Sequence, residues 1–370
     1  MQQGQEAEHR VRRHWLPRLL EVGGTVMLVA LGVGAVAQAF LWQSPDDSLV
    51  AAPSQSQLPE TADPLPAAAD VFDEFGASVV GTTVTFPDAP VTDAAAAFDC
   101  TGWSVVLQGF HSRFVLVGAC DDVTVAGTHV DAYIEGTAAL TMEGPESAVA
   151  AGAIGTLTML GAHTTVIADA VEVLAGDASF PHLVLNQVGD DQSDFTFGTA
   201  AVAAGLADDQ YVDSFSPELL RFESMPLAAD DVETRIVAAD TTEHACDGER
   251  LVVRDRSPDA ALLITGECDT VIVADREQIE IERASTVVVL EGSTLVELGD
   301  IQTLVVTEVG VGASAASIEA LAVGGSMLAL DADSIAAIVT TQSASDVTWR
   351  SGAPLSSLTA PEGATGFSGP

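Results

Sequence analysis

Three histidines and one glutamate, all of them side chains that can bind a metal, occupy equivalent places after glycines. His111, His129 and His163 each come two residues after a glycine, and Glu146 follows Gly144 at the same distance. If each glycine marks a corner in a stack of coils, these side chains form a column with neighbours about one strand spacing apart. Imidazole and carboxylate groups that close could bind Zn²⁺. We favour the alternative, that they are surface corner residues, because a straight column does not converge on one point.

Short acidic runs offer carboxylate oxygens of the kind that Ca²⁺ binds. They lie at 190–194 (DDQSD), 208–209 (DD) and 331–333 (DAD). None has the spacing of an EF-hand loop or of the glycine-aspartate nonapeptide repeat. We therefore interpret them as solvated loop acids and predict no cofactor.

The four cysteines fall into two pairs with similar spacing. The natural disulfides join Cys100 to Cys120 and Cys246 to Cys268, although two other connectivities are formally possible. The chain has no Cys-x-x-Cys pair of the kind that redox and metal sites use. Disulfides at these positions fit an oxidising compartment.

No motif of an enzyme is present. Gly-x-Ser-x-Gly, His-Glu-x-x-His and phosphate-binding loops are all missing. A polysaccharide lyase would need basic residues, and the chain has no Lys; a glycoside hydrolase would need paired carboxylates in an aromatic-lined groove, and only 5% of the residues are aromatic. We predict that the protein is not an enzyme and keep a carbohydrate-binding or carbohydrate-active module as the alternative.

The charge balance excludes one class of partner. The 54 acidic residues outnumber the 13 basic ones, which gives a net charge of −41. Such a surface repels phosphate backbones, so we predict no nucleic-acid binding, whereas cations or basic partners would be attracted. The acidity also keeps an exposed, apolar-rich protein soluble, which is its simplest role.

The N-terminal region has the pattern of a membrane anchor. Residues 22–42 form an uncharged, apolar run of spanning length, and four arginines precede position 19. The positive-inside rule then predicts a cytoplasmic basic tail (1–21), a transmembrane helix (22–42) and an extracytoplasmic remainder at the cell membrane. The small-x-small sequence at 37–39 has the form that signal peptidase reads, so secretion after cleavage near Ala39 is the alternative; we favour the retained anchor because the apolar run continues to full spanning length.

The remainder divides into a linker, two related copies and a tail. Residues 43–70 are rich in Pro, Ser and Ala and lack periodicity, which predicts a disordered linker. The sequence VLVGACDDVTVAG (115–127) matches LLITGECDTVIVAD (262–275), which indicates a tandem duplication. We predict a first copy at 71–212, a second copy at 213–352 and a disordered tail at 353–370. Between the copies, SPELLRFES (216–224) has the pattern of a short capping helix.

Each copy is built from short apolar triplets separated by turn residues. Examples are Leu140-Thr141-Met142 in the first copy and Ile279-Glu280-Ile281 in the second, in which Glu280 should point outward. Glycines in the first copy recur every eight or nine residues, at positions 109, 118, 127, 136, 144, 152 and 161.

This near-constant period decides between a β-sandwich and a β-solenoid. Sandwich loops vary in length, whereas a solenoid returns every turn to the same corner. Glycine at a corner allows positive φ and close approach of stacked backbones. We therefore predict an all-β fold, a tandemly duplicated β-solenoid with coils of about 17 residues and two short strands per coil.

At these residues the chain resembles an uncharacterised actinobacterial family of secreted and membrane-anchored proteins, a domain of unknown function. The resemblance lies in a Cys-Asp-Gly start and repeated Gly-x-x-Asn-x-Val strands, matched here by residues 246–248, 118–123, 266–271 and 346–352, and it covers most of 98–175 and 244–352. The corner Asn of that pattern is mostly missing here. The resemblance implies a β-solenoid in the cell envelope and no known activity. We thus expect a non-enzymatic, membrane-anchored scaffold or interaction surface for an envelope protein or a glycan.

Overall fold

The computed structural model describes residues 62–87, 95–195, 198–203, 218–222, 232–254, 261–275, 278–290, 295–307, 310–325, 328–341, 344–361 and 364–370. They belong to one compact unit, Pro59–Pro370. The predicted basic tail, transmembrane helix and most of the predicted linker lie outside these residues. Within the described ranges, no helix combines the length and the apolar character needed to cross a bilayer.

Over the described residues the unit is all-β and contains two 11-stranded sheets, both almost entirely parallel. It begins with strand β1 (Ala62–Pro64) and helix α1 (Ala68–Glu74). The first sheet contains β2 (Ser78–Val80), β3 (Thr83–Phe86), β4 (Ala96–Asp99), β5 (Ser104–Leu107), β6 (Arg113–Val125), β7 (Asp131–Met142), β8 (Ala148–Met159), β9 (Thr165–Gly176), β10 (His182–Ser193), β11 (Thr199–Ala203) and β12 (Glu218–Phe222).

The second sheet contains β1 and the strands that follow β12. These are β13 (Thr234–Val237), β14 (Glu243–Asp247), β15 (Arg250–Val253), β16 (Ala261–Val273), β17 (Gln278–Val289), β18 (Leu295–Val306), β19 (Gly312–Val323), β20 (Ala329–Thr340), β21 (Ala344–Gly352) and β22 (Thr365–Ser368), with a 3-10 helix at Leu355–Ser357 before β22. We call the stacks built on the two sheets the first and the second solenoid.

The strand register confirms the predicted coil. Tyr133 pairs with Ala150, which pairs with Ile167, so successive strands are offset by one coil of the predicted length. The two short strands predicted per coil are instead two halves of one bent strand of 12 or 13 residues. In β7 the pairing with β8 skips Glu135 and Ala138, where the strand bends. We call the parts before and after this bend the first and second halves of a strand.

Each solenoid has its own narrow apolar core. In β7 the inward residues are Ala132 and Ile134 of the first half and Leu140 and Met142 of the second half. The equivalent residues of β17 are Ile279, Ile281, Val287 and Val289. Since side chains alternate along a strand, the residues between them point outward.

A third apolar cluster lies between the solenoids, and we call it the central interface. Outward residues of first halves in the first solenoid, such as Tyr133 and Ile167, are buried there with outward residues of second halves in the second solenoid, such as Val288, Val305 and Val339. The solenoids therefore pack side by side along their length, which the sequence did not lead us to expect.

Three contacts across the central interface follow the same order in both solenoids. Arg254 Nη1 donates to the carbonyl of Ala95 at 2.6 Å, and Arg113 Nη2 lies 3.7 Å from Asp275 Oδ1. Further along, a Cβ on Gly324 would lie 2.5 Å from Cγ2 of Thr165. The two solenoids thus run in the same direction.

Helix α1 covers the N-terminal end of the first core. Its buried Phe72 makes edge-to-face contacts with Phe86, Phe98 and Trp103, at centroid distances of 5.9, 5.2 and 5.1 Å. The last residues of the predicted linker are therefore structured: α1 begins at Ala68, and β1 pairs antiparallel with β13.

Two further predictions about ends are wrong. Residues 353–370 were predicted to be disordered, but β22 pairs with β21, and Phe367 and Leu358 pack against the second core. The segment 216–224, predicted as a capping helix, instead contains strand β12. This strand pairs parallel with β11 and so covers the backbone edge that β11 would otherwise expose. The first solenoid accordingly continues beyond the predicted boundary at 212.

Candidate functional site

The predicted column of corner residues is present. His111, His129, Glu146 and His163 all have positive φ, between 51° and 56°, and Phe180 continues the series at 57°. The N–H of Glu146 donates to the carbonyl of Ala162 in the next coil, and that of His163 donates to Ser179. We call these five residues the corner column.

Two glycines near these corners serve one of the two predicted purposes, close approach of stacked backbones, and not the other, positive φ. Gly144 and Gly161 are not among the residues with positive φ. A Cβ on either would collide with a backbone carbonyl of the preceding coil, Gly127 for the former and Gly144 for the latter. Glycine at these positions permits close stacking of neighbouring coils. The left-handed conformation is adopted instead by the histidines and the glutamate of the corner column.

The side chains of the corner column stack instead of converging. The rings of His111 and His129 are parallel within 1°, with centroids 4.6 Å apart, and His163 stacks on Phe180 at 4.9 Å. His129 Nε2 lies 2.8 Å from Glu146 Oε2. Because stacked rings hold their nitrogens in parallel planes, this geometry favours the corner interpretation over a zinc site.

The two described acidic runs considered as Ca²⁺ sites lie in different solenoids, on β10 and β20. Asp190 accepts a hydrogen bond from Gln192, and Asp191 accepts one from the N–H of Ser193. In the run at 331–333, both aspartates pair with Arg350. The run at 208–209 lies outside the described residues.

Both disulfides form with the pairing that the spacing favours. Each links neighbouring coils just after a bulge, at Gly118 and at Gly266, where φ is 82°. A glutamate of the next coil accepts from the glycine N–H in each case: Glu135 at 2.6 Å and Glu282 at 2.9 Å. Both copies therefore share a glutamate whose carboxylate accepts the hydrogen bond from the glycine at the bulge.

A second feature near Cys246 escaped the sequence analysis. Among the described residues, one group brings three potential ligand atoms within 4.8 Å of one another: His244, Cys246 and Glu249. His244 Nε2 lies 2.8 Å from Glu249 Oε1, and Arg235 Nε lies 3.5 Å from Glu249 Oε2. The sequence His-x-Cys-x-x-Glu, at the end of a strand and across a glycine turn, was the available signal.

The outward positions of the first halves differ between the solenoids. In the first solenoid they carry residues of the central interface such as Tyr133 and Val184. In the second solenoid three of the equivalent positions carry Glu280, Glu297 and Asp331, all exposed, as predicted for Glu280, and Ser314 stands between Glu297 and Asp331. We call these three acidic residues, with Glu282 and Asp333, the acidic face.

The acidic face lines an open groove of about 660 Å³. Aliphatic and small residues such as Leu263 and Ala316 complete the lining, and Arg350 lies at one end. No aromatic side chain is among the lining residues. The groove therefore offers mainly carboxylates to a ligand.

Two titratable groups near the central interface have shifted pKa values. Burial alone would lower the pKa of Arg250, but Tyr133, the pairing with Glu135 and the charge of Asp269 together raise it. Burial lowers the pKa of His182, against a hydrogen bond with the backbone of Thr341 and with help from the charge of His163. Arg250 is therefore charged at neutral pH and His182 is neutral.

Comparison of the chain with known protein families, with curated proteins and with solved structures finds no match. The resemblance to the actinobacterial family thus stays a prediction.

Proposed function

We propose that this chain is a non-enzymatic, membrane-anchored, extracytoplasmic protein whose solenoids present a stiff acidic surface to a basic partner in the cell envelope. The observation that carries this proposal is the acidic face. Three outward positions of the second solenoid are acidic and exposed, whereas their equivalents in the first solenoid are apolar and buried.

The acidic face has an electrostatic cost that a partner would offset. Glu280 pairs in register with Glu297 on adjacent strands, which places their side chains about 4.8 Å apart along the stack. Like charges directly opposite each other destabilise a sheet. A basic surface would relieve this repulsion, and complementary charge would also speed the encounter.

A pull-down of envelope proteins and glycans tests the proposal. The bait would be residues 43–370, which include the compact unit. The test variant is Glu280→Gln/Glu297→Gln/Asp331→Asn, and the control neutralises the same number of exposed acids on the first solenoid, Glu143→Gln/Glu172→Gln/Asp177→Asn.

We expect the test variant to lose the basic partner and the control variant to keep it. The test variant should also unfold at slightly higher denaturant concentration, since the repulsion between Glu280 and Glu297 is gone. Equal capture by both variants, or capture that does not weaken with salt, would contradict the proposal.

A carbohydrate-binding or carbohydrate-active module is the second candidate. The spacing of Glu280 and Glu297 is close to the separation of about 5 Å between the carboxyl groups of retaining glycosidases. The groove lacks the aromatic side chains on which sugars stack. Binding on a glycan array that the test variant abolishes, with no basic protein captured, would favour this candidate.

The membrane anchor is part of the proposal and rests on the sequence alone. Residues 22–42 would span the membrane with the arginine-rich end in the cytoplasm. Fractionation of cells and mass spectrometry of the N-terminus test it. An intact N-terminus in the membrane fraction supports a retained anchor, and a new N-terminus near Ala39 in the medium supports secretion.

A further inference from the structure

We propose that reduction of the Cys246–Cys268 disulfide turns its surroundings into a Zn²⁺ site with Cys246, Cys268, His244 and Glu249 as ligands. The disulfide and the zinc complex would then be two alternative states of the same site. The proposal does not depend on the acidic face.

The geometry of the oxidised site already holds three of the four ligand positions together. His244 and Cys246 are two residues apart on β14, so their side chains lie on the same side of the strand. Gly248, with φ of 77°, turns the chain so that Glu249 reaches back to His244. Since the ligand atoms of these three residues lie within 4.8 Å of one another, one ion can contact all of them after small movements.

Cys268 supplies the fourth ligand because it is bonded to Cys246 in the oxidised state. It lies on β16, which pairs directly with β14. Two thiolates, an imidazole and a carboxylate form a four-coordinate set of the kind that binds Zn²⁺, at about 2.3 Å for sulfur and about 2.0 to 2.2 Å for nitrogen and oxygen.

The site is also largely shielded from solvent. The side chains of His244 and Glu249 are 6% and 17% exposed, and Cys246 is buried. With two thiolates and one carboxylate, the zinc complex would carry a charge of about −1. Arg235, 3.5 Å from Glu249, supplies a compensating positive charge.

The chemical step balances with a dithiol as reductant. The dithiol gives two electrons and two protons, the Cys246–Cys268 bond breaks to give two thiols, and the dithiol becomes a disulfide. Zn²⁺ then displaces the two thiol protons to solvent. Thiol–disulfide exchange with the oxidised form of the dithiol runs in reverse: it takes two electrons from the thiolates, re-forms the Cys246–Cys268 bond and releases the ion.

The first solenoid provides an internal control. Phe98 and Trp103 stand there in place of His244 and Glu249, relative to Cys100. Reduction of Cys100–Cys120 would therefore give two thiols without the imidazole and the carboxylate. We expect no comparable site at that disulfide.

Cobalt titration of the full chain tests the proposal, because Co²⁺ replaces Zn²⁺ and thiolate ligation gives a charge-transfer absorption. The chain is compared before and after treatment with a phosphine reductant, which takes up oxygen from water as the disulfide becomes two thiols. We expect one Co²⁺ per reduced chain with thiolate absorption, displaced by Zn²⁺, and no such absorption in the oxidised chain.

Two cysteine variants assign the site. Cys100→Ser/Cys120→Ser should keep the absorption after reduction, and Cys246→Ser/Cys268→Ser should lose it. His244→Phe, which introduces the residue of the first solenoid, and Glu249→Gln should each weaken binding at least tenfold. Circular dichroism checks that each variant is folded.

The proposal is overturned if the reduced chain binds no Co²⁺, or if Cys246→Ser/Cys268→Ser binds as well as the parent. If His244→Phe does not fold, the two cysteine variants still decide whether Cys246 and Cys268 bind the metal. Binding by the oxidised chain without thiolate absorption would point to the corner column instead.

Discussion

Glu135 joins the two solenoids to each other: its Oε1 lies 2.6 Å from Nη1 of Arg250. Its other oxygen accepts a hydrogen bond from the N–H of Gly118 and so holds the bulge of the first solenoid. The Arg250 side chain is fully buried and lies over the ring of Tyr133, 5.9 Å from its centroid. One carboxylate thus serves both the local backbone and the central interface.

Removing one member of this pair should be strongly destabilising. Arg250→Met leaves the Glu135 carboxylate without its buried partner charge, which costs about 3 to 5 kcal/mol for buried pairs. Arg250→Met/Glu135→Gln should cost less than the sum of the single changes. Urea unfolding of all four proteins gives the coupling energy. As a control, Arg350→Met at the exposed pair with Asp331 should cost about 0 to 1 kcal/mol.

Gly324 is needed where the solenoids touch. A Cβ there would lie 2.5 Å from Cγ2 of Thr165 and 3.1 Å from Cδ1 of Ile167. Gly324→Ala should therefore lower the free energy of unfolding by about 1 to 3 kcal/mol, as overpacking does elsewhere. Gly136→Ala is the control, since its nearest contact would be 3.8 Å. Equal stability of the two variants would mean that Gly324 and Thr165 do not approach each other this closely.

His182 should make stability depend on pH. Burial lowers the pKa of His182, so the unfolded chain binds a proton more readily than the folded one. Its neutral form gives full stability above the unfolded pKa of about 6.5, and stability falls as the pH drops below that value towards the lowered pKa.

His182→Thr should show a smaller loss of stability between pH 7 and pH 5. Threonine fits this position because His182 pairs in register with Thr165 and Thr199. Unfolding curves at both pH values check it, and an unchanged pH dependence would assign the effect to other groups.

The corner column should be sensitive to β-branched residues. Glu146 has a φ of 56°, a conformation that a β-branched residue adopts only with strain. Glu146→Val should therefore be about 1 to 2 kcal/mol less stable than Glu146→Asn, because Asn tolerates this region and both lack the carboxylate. Equal stabilities in thermal unfolding would mean that the corner is not in the left-handed conformation.

Zinc calorimetry on the oxidised chain tests whether the corner column is a zinc site or a set of surface corner residues. We expect no heat at micromolar Zn²⁺, because stacked rings do not place three ligands around one point. Heat that disappears in His111→Asn/His129→Asn/His163→Asn would establish the zinc site.

The coil and the cores were predictable because they follow from local patterns. The inward residues of Ile279-Glu280-Ile281 repeat with a constant period, and a parallel stack turns that period directly into strand register. The corner column followed from the same period. Both disulfides could be anticipated because each joins neighbouring coils.

The side-by-side pairing was harder to predict because it depends on a surface pattern across the two copies. In Val287-Val288-Val289 the middle residue is also apolar, whereas in Ile279-Glu280-Ile281 it is charged. That difference distinguishes a buried outer face from an exposed one. It is visible only when the first halves of the strands are compared separately from the second halves. The ordered tail was missed because it departs from the coil period: Phe367 pairs with Val347, 20 residues earlier, and packs against the second core.

The side-by-side, same-direction packing of the two solenoids is tested most directly by a zero-length cross-link. The chain contains no Lys, so Arg113→Lys introduces the only side-chain amine, beside Asp275 across the central interface. After carbodiimide treatment of the full chain, we predict a cross-linked peptide joining position 113 to Asp275, absent in Arg113→Lys/Asp275→Asn. Cross-links from position 113 only to acids of the first solenoid would contradict the arrangement.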